Sequence, residues 1–126
     1  MLTKGLQDLI KDAASAVPSL DGAKAEEMLA RDDVVFVDVR ESDERRRGFI
    51  PGSVHVPRGF LEFIADPAGP AHNPVLTSGK TLVLYCASGM RSLLAAKTLR
   101  DMGIDNLYNL TGGFHAWVER GAPVDL

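Results

Sequence analysis

The residues richest in chemistry lie between positions 82 and 92, LVLYCASGMRS, where an unbroken apolar run meets the only cysteine of the chain. Cys86 ends a segment that reads as a buried strand, and a helical pattern starts a few residues behind it. In open α/β sheets ligands bind beyond the carboxyl ends of the strands, so this position puts the thiol on the reactive edge. The N-terminus of the following helix turns unpaired N–H groups and a partial positive charge toward the sulfur. Arg91 adds a full positive charge. Both favour the thiolate, which is the nucleophilic form. Ala87, Ser88 and Gly89 are small enough for the backbone to curl around the sulfur and aim successive N–H groups inward as an anion nest. Gly89 takes φ > 0 at no steric cost. Met90, flexible and apolar, stands at the rim of the loop, and Ser92 is placed to donate a hydrogen bond to the sulfur.

Other groups carry weaker signals. Asp38 and Arg40 close the first buried strand and so share the same sheet edge. Arg58 follows a short strand and is read as a pocket-rim residue able to meet an anionic donor, while Glu62 reads as an exposed helix carboxylate. His55, His72 and His115 lie on separate segments without metal-ligand spacing, which makes them packing or surface residues. Gly112-Gly113 is followed by no P-loop lysine and reads as a tight strand-to-helix turn. The run Arg45-Arg46-Arg47 reads as a solvated helix face.

The elements that must position the cysteine follow from periodicity. Leu2, Leu6, Leu9, Ile10, Ala13 and Val17 predict an amphipathic helix near residues 3–15, broken by Pro18. Residues 1–18 are therefore expected to be a helical extension packed on a domain formed by 19–126. Asp21 predicts a cap for a helix over GAKAEEMLARD. VVFVDV, residues 34–39, is apolar up to Asp38 and rich in β-branched residues, as a parallel strand covered on both faces is, and TLVLYC reads as a second strongly buried strand. IPGSVHVP predicts a turn and a short strand, and NLYNL a last strand. Helices are predicted over ESDERRRGF, RGFLEFIAD, MRSLLAAKTLRDMG and GGFHAWVERG, and PAGPAHNPVLTSG as a surface loop. In the third of these helices Met90, Leu94, Thr98 and Met102 mark one face, and in the last Phe114, Trp117 and Val118 are expected inward. Strands alternating with helices imply a parallel sheet with helices on both faces.

Composition narrows the function classes. At 126 residues the chain is long enough for one core without staples. A net charge of −3, from 14 basic and 17 acidic residues, gives no electrostatic footprint for nucleic acid or an anionic membrane. One cysteine makes no internal disulfide. Lys4, Asp8, Lys11 and Asp12 interrupt the apolar residues of the N-terminal segment, unlike a signal peptide. No stretch reaches the roughly 18 apolar residues of a membrane span. A cytoplasmic monomer is expected.

Three separated motifs in order, VFVDVRESDE with GFIPGSVHVP, CASGMR followed by Ser92, and NLTGGFHAWVERGAPV, make the chain resemble a single-domain rhodanese over about residues 19–124. The family's usual Gly-His-Ile-Pro-Gly-Ala stands here as GFIPGS, with Phe49 in place of an ordinarily structural histidine. The resemblance implies a three-layer fold with a five-stranded parallel sheet, and Asp38 and Arg40 bracing the loop. It also implies a sulfurtransferase in which Cys86 accepts a sulfur atom from a small donor such as thiosulfate, held by Ala87, Ser88, Gly89, Met90, Arg91 and Ser92. Without a second cysteine the acceptor must be external, a thiol in the cell or cyanide in the assay, and no cofactor or metal is implied. Some domains of this kind serve instead as protein-binding or regulatory modules. Protein-tyrosine and dual-specificity phosphatases place five residues between cysteine and arginine, whereas four intervene here. The smaller ring suits one anionic sulfur better than a phosphoryl group.

Overall fold

Two runs of strong strand formers make the centre of the sheet. In the computed structural model, which describes all 126 residues, Val34–Asp38 (β2) and Thr81–Tyr85 (β4) pair in parallel along their whole length, from Val34 opposite Thr81 to Asp38 opposite Tyr85. Ser19–Leu20 (β1), Val54–His55 (β3) and Leu107–Leu110 (β5) complete a five-stranded sheet in the order β1-β5-β4-β2-β3, parallel throughout. The central register decides the site: it sets Asp38 beside Tyr85 and leaves Cys86 one residue beyond the last pair.

Six α-helices cover the two faces, which makes three layers: Leu6–Ala16 (α1), Gly22–Met28 (α2), Ser42–Arg45 (α3), Leu61–Ala65 (α4), Met90–Asp101 (α5) and Gly113–Glu119 (α6). Side chains alternate across a strand. Leu82, Leu84 and Cys86 accordingly join Val37 and Val39 in one apolar layer with Ala13, Leu61, Leu93 and Leu99. Val83 and Tyr85 join Phe36 in the other, with Ala25, Ile50 and Trp117. Phe36 and Trp117 meet edge-on at 5.8 Å, a favoured aromatic geometry.

Several details depart from the periodicity. The two-residue β1 is too short to show a period, and only its pairing of Ser19 with Asn109 and Leu20 with Leu110 makes it a strand. Helix α1 buries Ala13 and leaves Leu6 and Leu9 exposed, as is Leu2 ahead of it. The buried face of α5 is Leu93, Ala95, Ala96 and Leu99, while Met90 and Met102 are exposed. The reason is crowding: α5 lies between the sheet and α1, and small alanines allow the close approach. Val118 points outward from α6. The segment RGFLEFIAD divides into a 3-10 turn, Arg58–Phe60, and the shorter α4. Within the expected surface loop Pro74–Thr77 forms another 3-10 turn that buries Leu76, opened by Asn73 Oδ1 accepting the Val75 N–H at 3.1 Å.

The turn from β5 into α6 is welded to the cysteine loop. The Phe114 and His115 amides donate to the carbonyls of Cys86 and Ala87 at 2.8 and 3.0 Å. Gly113, at φ +58°, lies so close that a Cβ would stand 2.6 Å from both of those oxygens. Gly113→Ala should therefore cost about 2–4 kcal/mol, combining left-handed strain with overpacking. Gly121→Ala, also at positive φ but with open space around the new carbon, should cost only the strain, about 1–2 kcal/mol. Urea unfolding of the two variants measures the difference.

Candidate active site

Cys86 leaves β4 on the side of α5, and the chain turns back through Gly89 at φ +104° to start that helix at Met90. The turn brings two amides and a hydroxyl onto one atom. The Gly89 amide is 3.2 Å from Sγ, the Ser92 amide 3.4 Å and the Ser92 hydroxyl oxygen 3.4 Å. Cys86 is fully buried and belongs to the apolar layer, yet its sulfur is ringed by dipoles. Burial pushes the thiol pKa up and is the largest single influence. The Ser92 hydroxyl and the amides of Ser92, Gly89 and Ser88 together outweigh it, leaving the group below its ordinary value. Ser88 and Met90 form the exposed outer side of the loop.

Arg91 does less at the sulfur than its position in the loop suggests. Its guanidinium is held in a bidentate pair by Glu44 of α3, at 2.8 and 2.9 Å. Glu44 also accepts the Glu41 amide at 2.9 Å, and the Arg91 guanidinium in particular lowers its carboxyl to about 2. The charge of Arg91 is thus largely compensated, and the residue works as a strap from the loop to α3. The Arg91 charge still interacts with Cys86, but the largest influences favouring the thiolate are the Ser92 hydroxyl and the loop amides.

Behind the loop stands a buried polar cluster built on Asp38, which is fully buried and takes five hydrogen bonds. They come from the Arg40 amide and guanidinium (3.0, 2.9 and 2.8 Å), Arg45 (3.1 Å) and the Tyr85 hydroxyl (3.1 Å). Burial raises the Asp38 carboxyl, but the hydrogen bonds and charge of Arg40, with Arg45 behind them, hold it below the usual carboxylate range. Arg40 also donates to the Gly48 carbonyl at 2.8 Å and lies 4.3 Å over the Phe114 ring. Asp38 and Arg40 thus tie the end of β2 to Tyr85, Gly48 and Phe114 rather than to the loop residues themselves. Arg45 departs from the expected solvated face: besides Asp38 it binds Ser53, and it stacks 4.1 Å over Phe49.

Arg58 is the predicted site residue that the fold carries elsewhere. It pairs with Glu62 at 3.0 Å and reaches Thr98, far along α5 from the loop. The residues that sequence reasoning missed are Glu44, Tyr85, Ser53 and Asn109. Of these, only Asn109 left a signal in the sequence, as an amide side chain inside the expected strand NLYNL. Beside the loop opens a cavity of about 360 Å³. Ala87, Phe114 and Val118 give it apolar wall, and Arg40, Arg47, Glu44, Glu119 and His115 line the rest with polar groups of both signs.

A parallel three-layer α/β fold that presents a dipole-ringed cysteine between a strand and a helix defines a class of protein. Within that class the chain belongs to the rhodanese-like domain family, which it matches over residues 21–120. It is 30% identical over 109 residues to a sulfurtransferase of Allochromatium vinosum, covering 86% of this chain and 94% of that protein. It is 32% identical over 96 residues to the thiosulfate sulfurtransferase GlpE of Pseudoalteromonas translucida, covering 75% of this chain and 83% of that one. Among solved structures it superimposes with a TM-score of 0.95, at 41% identity, on a Rhodopseudomonas palustris protein of unknown function described as a possible tyrosine phosphatase. That likeness covers 99% of this chain and 97% of the other. The curated relatives make this a sulfurtransferase family. No helix is long and apolar enough to cross a membrane.

Removing the charge of Asp38 tests the bracing cluster. Asp38→Asn leaves the buried Arg40 guanidinium uncompensated and should cost about 3–5 kcal/mol in urea unfolding at neutral pH. Because the folded-state pKa of Asp38 is depressed, its contribution is complete above the unfolded value of about 4 and is lost as the pH falls through the folded one. The gap between wild type and variant should narrow accordingly in acid.

Proposed function

We propose that the protein transfers sulfane sulfur through a persulfide on Cys86. The observation that carries this reading is the convergence of the Gly89 and Ser92 amides and the Ser92 hydroxyl on the Cys86 sulfur. A ring this small stabilises a single anionic sulfur atom. In the first half-reaction the Cys86 thiolate attacks the outer sulfur of thiosulfate. The donor's S–S bond breaks, sulfite leaves with the bonding pair, and the enzyme holds a persulfide anion. In the second, cyanide or a thiolate attacks the terminal sulfur, the new S–S bond breaks, and its electron pair returns to Cys86 as thiolate. Each half is nucleophilic catalysis by a thiol of lowered pKa.

The phosphatase description of the Rhodopseudomonas palustris protein marks the alternative chemistry. A phosphoryl group needs donors spread around three oxygens and a cation free to meet them. Four residues separate Cys86 from Arg91 here, and Arg91 is occupied by Glu44. Both features support sulfur over phosphate.

With thiosulfate and cyanide the protein should release thiocyanate, and Cys86→Ser should abolish the release. Hydrolysis of an aryl phosphate dependent on Cys86, without thiocyanate, would overturn the reading in favour of the phosphatase. Sulfur uptake from no donor would leave a binding module. The pH profile gives an independent check: kcat/KM for thiosulfate should fall on the acid side with a midpoint below that of an unperturbed thiol.

A further inference from the structure

Two residues on from Leu107, Asn109 faces the same layer as Cys86 and is buried. A buried amide must be hydrogen-bonded to be tolerated. Its Nδ2 donates to the Gly89 carbonyl at 3.1 Å, and its Oδ1 accepts from the Ser92 hydroxyl at 2.6 Å. The orientation of the amide follows from the partners. The Gly89 carbonyl can only accept, so the NH2 end must face it, and Oδ1 is left facing Ser92.

Ser92 has one hydroxyl proton and two acceptors within reach, Asn109 Oδ1 at 2.6 Å and Cys86 Sγ at 3.4 Å. With the sulfur neutral, the short O–H···O bond to Asn109 wins, and the thiol proton is free to donate to a lone pair on Ser92 Oγ. With the sulfur charged, a charge-assisted bond draws the Ser92 proton across. Asn109 Oδ1 then becomes a buried acceptor without a partner, which carries a penalty.

We infer that Asn109 is a positioning residue: by competing with Cys86 for the single proton of Ser92, it makes each ionisation of the sulfur turn a hydroxyl and so restrains that ionisation. The inference rests on Cys86 being the reactive group of the sulfur-transfer reading, but it concerns the proton alone. The titratable and charged groups around this end of β4 are Arg91, Glu44 and Arg45 from α3, Arg40 with Asp38 at the end of β2, Tyr85 on β4 itself, and Arg47, His115 and Glu119 around the adjoining cavity. None of them contacts Asn109, whose polar partners are Ser92 and Gly89. The Gly89 carbonyl keeps the Leu93 amide at 3.2 Å when Asn109 is replaced.

The test is the pH dependence of Cys86 alkylation by iodoacetamide, unambiguous because the chain has one cysteine. Asn109→Leu frees the Ser92 proton and should lower the alkylation midpoint by about one pH unit, the equivalent of one hydrogen bond. In a Ser92→Ala background the same substitution should leave the midpoint where it was. A loosened cradle would instead raise the midpoint, so an upward shift or no shift in the single variant overturns the inference. The same downward shift surviving in the Ser92→Ala background also overturns it. Should Asn109→Leu fail to fold, the wild-type protein still decides the matter through the infrared S–H stretch of its thiol form. The band should lie at lower frequency than in Ser92→Ala, because the thiol donates to Oγ, and equal frequencies refute the arrangement. Neither readout requires sulfur transfer, so a negative thiocyanate assay and a negative result here remain distinguishable.

Discussion

Everything at the reactive edge depends on placing a potential anion inside the apolar layer without bringing a bare cation to meet it. Burial alone would keep Cys86 a neutral thiol. The fold answers with fixed dipoles: a left-handed Gly89 turns the backbone so that its own amide and that of Ser92 point at one sulfur. Such dipoles cannot turn away as solvent can, so the loop must be held rigid from outside. Three anchors do this. Arg91 ties the loop to α3 through Glu44, the Phe114 and His115 amides tie its first carbonyls to α6, and Asn109 ties Gly89 to β5. Each anchor belongs to a different element, so the cradle is a tertiary construction.

The anchors in turn depend on the sheet register. Pairing Asp38 with Tyr85 puts a buried carboxylate, a phenol and two guanidinium groups directly behind the point where the chain enters the loop. No buried side-chain nitrogen or oxygen is left without a partner. A network satisfied this completely holds one geometry, whereas a half-satisfied one would be costlier than an apolar core. Phe49 fits the same scheme, since its ring supports Arg45 while its backbone pairs with Asp125 near the end of the chain.

Long strands and the cysteine loop were legible in the sequence because each is a local pattern. VVFVDV declares itself through an apolar run of β-branched residues, TLVLYC through an apolar run, and the loop through small residues between cysteine and arginine. Partnership was not legible. Nothing local in Arg91 says that Glu44, 47 residues away, will take its charge, and nothing in Arg58 says that it will turn toward Thr98. The buried face of α5 was misjudged for a related reason: hydrophobicity marks Met90 and Met102, but packing against both sheet and α1 selects alanine. Where a residue's role is set by what lies across the fold, a single strand or helix period carries no record of it.

The pairing of Arg91 also bears on the chemistry. In the persulfide state that we propose, negative charge moves from Sγ to the terminal sulfur, about 2 Å further out. A full cation fixed near one of these positions would favour that state over the other and deepen a well from which sulfur must later leave. A ring of amides spreads a weaker field over both positions, which keeps loading and unloading closer in energy. Glu44 therefore does more than anchor the loop. By pairing with the guanidinium of Arg91 at 2.8 and 2.9 Å, it offsets part of the one full positive charge of the loop, which still interacts with the sulfur.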